Sequence, residues 1–152
     1  MTLNFKKAGE SELDKINTLI LESETASVDE ERRMDAFIEK YTVKQSELLA
    51  NNGYVLYEDD FMLGFFMIKN KSNTHELEYF YIEHSQLGKG YGKILWAYVD
   101  EICTKGNIQK IKIVCGKNIT PFYLKMGAEK IGESDSEVYR GVKIDLLEYQ
   151  VK

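Results

Sequence analysis

The sequence predicts one mixed α/β domain, a central twisted sheet flanked by helices. Three observations lead there. Apolar residues recur at helical spacing near the amino terminus and again after Lys89, strand-like runs fill the stretches between and beyond, and a glycine-punctuated turn joins one such run to a helix. With 152 residues, 43% hydrophobic and 30% charged, the chain can bury one core and leaves little room for a second, so 1–152 is expected to be a single domain.

Taken in order, Ser11 is placed to cap a helix whose Leu13, Ile16, Leu19 and Ile20 fall on one face. Ser27 with Glu30 three residues on reads as a capping box for a second helix, lined by Met34, Phe37, Ile38 and Tyr41. After Leu48 the period changes, and Asn52-Gly53 ends the helix. The runs YVLYE and FMLGFFMIK, parted by Asp59-Asp60, suit a hairpin, with Gly64 marking a bulge or a close backbone approach. THELEYFYIE follows as a third strand. Strict alternation puts Glu76, Glu78, Phe80 and Ile82 on one face and Leu77, Tyr79, Tyr81 and Glu83 on the other.

From Lys89 to Lys105, Ile94, Leu95, Tyr98, Val99 and Ile102 describe a helix, and IQKIKIVC after it is a strand, so strand, helix, strand implies a crossover between parallel strands. A short helix over 118–125 and strands over 128–133 and 143–149 complete the pattern.

Composition excludes some roles. The net charge is −5, from 20 basic and 25 acidic side chains, with no basic run, which disfavours nucleic acid as a partner. No apolar run approaches the roughly 18 residues of a membrane span, and MTLNFKKAGE lacks the apolar core of a signal peptide, so a cytoplasmic protein without a membrane partner is expected. Cys103 and Cys115 have no metal-ligand spacing and are expected to be free thiols without a catalytic role; no metal site is expected.

The stretch HSQLGKGYGKILW holds Gly88, Gly90 and Gly92 at the head of a helix. Glycine lets successive N–H groups converge, and a helix start has such groups to spare, so the turn can hold phosphate oxygens. Its spacing alone fits a structural turn equally well. It lacks the ending of a kinase-type phosphate loop and the acidic partner of a dinucleotide fingerprint.

YFYIEHSQLGKGYGKILW together with NITPFYLKMGAEKIGE some thirty residues later resembles the GNAT superfamily of N-acetyltransferases over about residues 50–150. The tail from Phe122 to Gln150 is similar to small bacterial members of unassigned acceptor. The resemblance implies a central mixed sheet of about six to seven strands with about four helices, acetyl-CoA as co-substrate, and a turn that grips its pyrophosphate through backbone N–H groups at Leu87, Gly88, Lys89, Gly90, Tyr91 and Gly92. The family usually carries Arg or Gln where this chain has Leu87, which removes a side-chain contribution there. The resemblance further assigns backbone near Tyr81 and Ile82 to the pantetheine arm, Asn118 to the cofactor or to a helix cap, and Tyr123 to the general acid beside the CoA sulfur. A phenol of reference pKa about 10 can protonate a thiolate of about 8.5.

The base is read from the residues themselves. Glu78 shares the cofactor strand and, with Glu76, can attract an ammonium and take its proton; His84 is an alternative. The expected reaction is direct transfer of acetyl to a primary amine, on a small molecule or a protein, in a ternary complex. An acyl-CoA-binding module without turnover is the alternative. The many tyrosines and a free sheet edge permit a homodimer.

Overall fold

The computed structural model describes residues 2–27 and 34–152. Seven strands form one sheet: β1 (Leu3–Lys7), β2 (Asn52–Glu58), β3 (Phe61–Lys71), β4 (Thr74–Ile82), β5 (Lys110–Gly116), β6 (Glu129–Asp135) and β7 (Lys143–Gln150), in the order β1-β2-β3-β4-β5-β7-β6. Among the described residues only β4 and β5 pair in parallel. The helices are α1 (Leu13–Ser27), α2 (Asp35–Tyr41), α3 (Gln45–Ala50), α4 (Tyr91–Lys105) and α5 (Thr120–Lys125). The expected mixed sheet is present, and the helix between β4 and β5 is the expected crossover.

Two cores lie on opposite faces. On one, Ile16, Leu19 and Ile20 of α1, Phe37 of α2 and Leu48 of α3 cover Val55, Phe65, Met67 and Tyr79. On the other, Leu95, Trp96 and Val99 of α4 and Tyr123 of α5 cover Leu56, Phe66, Ile68, Leu77 and Ile113. Phe66 is fully buried, with its ring 5.5 Å from Tyr54 and 5.9 Å from Phe5. Phe66→Ala is expected to cost about 3–5 kcal/mol, measured as a lower urea midpoint with an unchanged slope.

Several boundaries differ from the sequence reading. Strand β1 was not expected, because it is a short edge strand whose residues are largely exposed; Phe5 holds it down by stacking 3.9 Å from Tyr98. Ser11 lies inside a short 3-10 turn, and Glu12 takes the capping role by accepting from the Gly9 N–H at 2.9 Å. Ser27 ends α1 rather than opening a second helix, and its capping partner Glu30 lies outside the described residues. The helical run to Leu48 breaks at Val43 because Asn17 of α1 takes both backbone groups of Val43, accepting from its N–H at 2.8 Å and donating to its carbonyl at 3.0 Å. The helix ladder is diverted at that point.

Gly64 proves to be both a bulge neighbour and a close approach. The β2–β3 register skips Leu63, and a Cβ on Gly64 would stand 3.0 Å from the Tyr81 carbonyl oxygen. A second bulge corrects the alternation read for β4. Met67 faces Tyr79 while Ile68 faces Leu77, so Glu78 is an extra residue. Beyond it the faces exchange: Phe80 and Ile82 join Leu77 on the α4 side, whereas Tyr79 and Tyr81 face the α1 side.

Candidate active site

The bulge sets the site. Strands β4 and β5 pair only at Glu76–Lys112 and Leu77–Ile113, and then separate. Strand β5 stays paired with β7 as far as Gly116–Ile144, and β4 with β3 as far as Ile82–Gly64, so the sheet splits into a wedge. A cleft of about 620 Å³ occupies it, walled by residues of both cores: Phe80, Cys115 and Tyr123 from one face, Phe37, Tyr41 and Tyr81 from the other.

Glu83 donates its N–H to the Leu63 carbonyl across β3 and β4 at 2.7 Å. Hydrogen-bonded pairs alternate in an antiparallel ladder, so Tyr81, opposite Phe65, spends its backbone on β3, while the backbone groups of Phe80 and Ile82 turn to the wedge. Of the two backbone positions that the resemblance assigns to the pantetheine arm, Ile82 is the one that faces the wedge. Tyr81 instead offers a side chain, and its partner at the open edge is Phe80.

Past Glu83, residues His84–Gln86 make a 3-10 turn that leads into Leu87, which is 56% exposed and lines the cleft. Gly88 and Gly90 then adopt φ of 81° and 86°, and a Cβ at either would meet nothing within 4 Å. These glycines are needed for backbone direction alone. Gly90 precedes α4 with no side-chain cap, so the first N–H groups of this 15-residue helix have no side-chain partner there. Gly92 serves a different purpose, since a Cβ there would stand 3.0 Å from the Phe122 ring: it lets α4 press against α5. Tyr91 donates its hydroxyl to Glu58 at 2.8 Å and Lys89 its ammonium to Gln86 at 3.2 Å. Residues 88–92 continue the chain from Leu87 and are not part of the cleft wall itself.

Tyr123 and Asn118 both line the cleft. Tyr123 is only 5% exposed, its ring among Trp96 at 5.8 Å, Phe122 at 5.4 Å and Phe80 at 6.1 Å. Burial pushes its phenol well above the usual range, so it keeps its proton. Asn118 does not cap α5: Ile119 occupies the cap position without a side-chain bond, and Asn118 sits in the turn before it. Pro121 falls in the first turn of α5, where a missing N–H costs nothing. Cys115 also lines the cleft; both cysteines are free and buried, and burial pushes the Cys103 thiol up to about 12.

The acidic residues lie on the α1 side. Glu76 accepts from Lys71 at 2.6 Å, and Lys69 donates to Glu47. Glu78 has both ammonium groups 3.4 Å from its Oε2, yet no hydrogen bond reaches that buried oxygen among the described residues. Burial, with Glu78 and Glu76 nearby, pushes the Tyr41 phenol up to about 12. His84 also lines the cleft. Sequence reading missed Lys69 and Lys71, although two lysines on one arm of a hairpin with Glu76 and Glu78 on the other were a signal for cross-strand pairing. Over this side, Lys40 of α2 pairs with Glu137 of the β6–β7 loop, and the Phe37 and Tyr139 rings lie parallel 6.4 Å apart.

Comparison with known proteins places this geometry. Among solved structures, the chain is similar to the PaiA N-acetyltransferase of Thermoplasma acidophilum in complex with coenzyme A, with a TM-score of 0.81, 18% identity and 99% of each chain covered. It is also similar to a GNAT-family acetyltransferase of Staphylococcus aureus, with a TM-score of 0.78, 14% identity and 99% and 100% covered. The N-acetylglutamate synthase of Neisseria gonorrhoeae, complexed with coenzyme A and N-acetyl-glutamate, matches with a TM-score of 0.72 at 15% identity, over 100% of this chain and 36% of that one. No curated protein matches the sequence. At these identities the structures establish the fold, and the family is established by the sequence profile of the acetyltransferase (GNAT) domain, which matches residues 22–144. The chain belongs to the GNAT acetyltransferase domain family.

Proposed function

We propose that this chain is an acetyl-CoA-dependent N-acetyltransferase of the cytoplasm that passes the acetyl group directly to a primary amine, on a small molecule or a protein, in a ternary complex. One observation carries the reading: the wedge between β4 and β5 brings open backbone groups, Tyr123 and Glu78 to a single cleft that begins beside the glycine turn.

Each part of the reaction has a residue. The backbone of the Leu87 to Gly92 turn supplies N–H groups to the pyrophosphate from Gly88 on, favoured by the start of α4, while the Leu87 N–H donates to the His84 carbonyl at 3.3 Å. The N–H groups of Phe80 and Ile82 face the wedge, where one can donate to the thioester carbonyl oxygen as it gains negative charge; a donor of this kind is worth about 3 kcal/mol in the transition state. Asn118 can bond the pantetheine amides. Glu78 attracts the ammonium form of the acceptor, takes its proton and leaves the neutral amine to attack the carbonyl carbon. Tyr123 gives its proton to the departing CoA sulfur, and the proton that the acetylated nitrogen then sheds restores the phenol.

CoA release from acetyl-CoA across a panel of primary amines tests the reaction. Tight calorimetric binding of acetyl-CoA with no turnover on any amine would favour the binding module instead, a reading to which the exposed Leu87, standing for the usual Arg or Gln, lends some support. For the base, Glu78→Gln is expected to lower kcat/KM about tenfold at pH 7 and to recover it as pH nears that of a free amine, about 10. An unchanged pH–rate curve would assign the proton to another group.

A further inference from the structure

Tyr123 stands on a helix that has little means of holding itself. Helix α5 has six residues, about 9 Å of length, and no side-chain cap, so its direction has to come from outside. The outside partner is Asp145 of β7. It is 3% exposed and opposite Cys115 in the β5–β7 register. Its Oδ2 accepts from the Thr120 hydroxyl at 2.7 Å, and its Oδ1 from Lys117 at 2.7 Å, with the Lys130 ammonium 3.1 Å away. Hydrogen bonds from Lys117 and then Thr120 hold this carboxyl well below the usual carboxylate range, so it stays ionised.

The two groups that it grips flank the site residues. Lys117 precedes Asn118, and Thr120 is the first residue of α5, one turn before Tyr123 on the same side of the helix. The Thr120 hydroxyl has one proton, and the 2.7 Å bond to Asp145 takes it in preference to the Gly116 carbonyl at 3.4 Å. The Cys115 thiol, 3.5 Å from the same oxygen, is then left as donor, which ties β5, α5 and β7 together directly below the cleft. For stability alone an apolar pair would hold α5 to β7 at least as well as a buried carboxylate. What the carboxylate adds is direction, because a short bond to a single hydroxyl proton fixes the rotation of α5 about its axis.

We propose that Asp145 is a positioning residue: acting through Thr120, it aims the Tyr123 hydroxyl at the thioester end of the cleft. This rests on the reading of Tyr123 as the proton donor.

Thr120→Val removes the hydroxyl at equal volume and leaves Asp145 its two lysines, so the fold is retained. CoA release from acetyl-CoA, with a primary amine or with water as acceptor, is expected to fall about tenfold in kcat with KM for acetyl-CoA within about twofold, and Thr120→Ser is expected to keep the native rate. In a Tyr123→Phe background, Thr120→Val should cost nothing more, since the group it aims is gone. Amide exchange over 117–123, read by mass spectrometry without any turnover, should quicken in the Val variant and not in the Ser variant. Native kcat in Thr120→Val, an equal loss in Thr120→Ser, an undiminished loss in the Phe background, or equal exchange in the two variants would each overturn the proposal alone. A native rate in Tyr123→Phe would overturn it together with the reading beneath it.

Discussion

Tyr123→Phe is expected to lower kcat about 10²-fold, the scale of a lost general acid, while the Kd for acetyl-CoA stays within about twofold. The ring is packed by Phe80, Trp96 and Phe122, so phenylalanine fills the same volume and only the hydroxyl is lost. Burial raises the phenol's pKa, and the sign follows: the proton-bearing form persists as the pH rises past the free-tyrosine value of about 10. The native enzyme therefore shows no alkaline loss of kcat from this group near that pH. Steady-state rates across pH, with calorimetry for binding, measure both parts. Coincident pH–rate curves for the two proteins would remove Tyr123 from the proton transfer.

Gly90→Val is expected to weaken CoA binding at least about tenfold, equivalent to about 1.4 kcal/mol, with the circular dichroism spectrum unchanged. At φ 86° a β-branched residue is strained, although a Cβ there meets no neighbour within 4 Å. The strain is relieved by turning the peptide, and the N–H groups that start α4 turn with it. Calorimetry with CoA checks the effect; a native Kd would show that the turn holds nothing. Gly92 offers the contrast, because a side chain there drives into Phe122 and disturbs the packing beside Tyr123.

The glycine turn was legible because glycine is the residue that φ near +80° demands, and Gly88 and Gly90 both adopt it. The two-motif spacing that joined the turn to Tyr123 was legible for the same reason that the cleft exists: the crossover α4 delivers β5, and then α5, beside β4. What period-two reading could not supply was the bulge at Glu78. One extra residue exchanges every side-chain face after it, so Phe80 and Ile82 lie with Leu77 and not with Glu76. The break at Val43 was hidden because it depends on Asn17, distant in sequence. Asp145 did leave a trace. It alternates with Leu147 and Tyr149, both buried, so a charge stood at a core position and called for a partner that only the fold could name.

The wedge between β4 and β5 opens where Leu77 makes the last pairing and Glu78 adds one residue to its strand. The slot is thus written in the count of residues along β4 and not in their kind. Point substitutions along its lips leave that count alone, so the slot does not depend on which side chains line it.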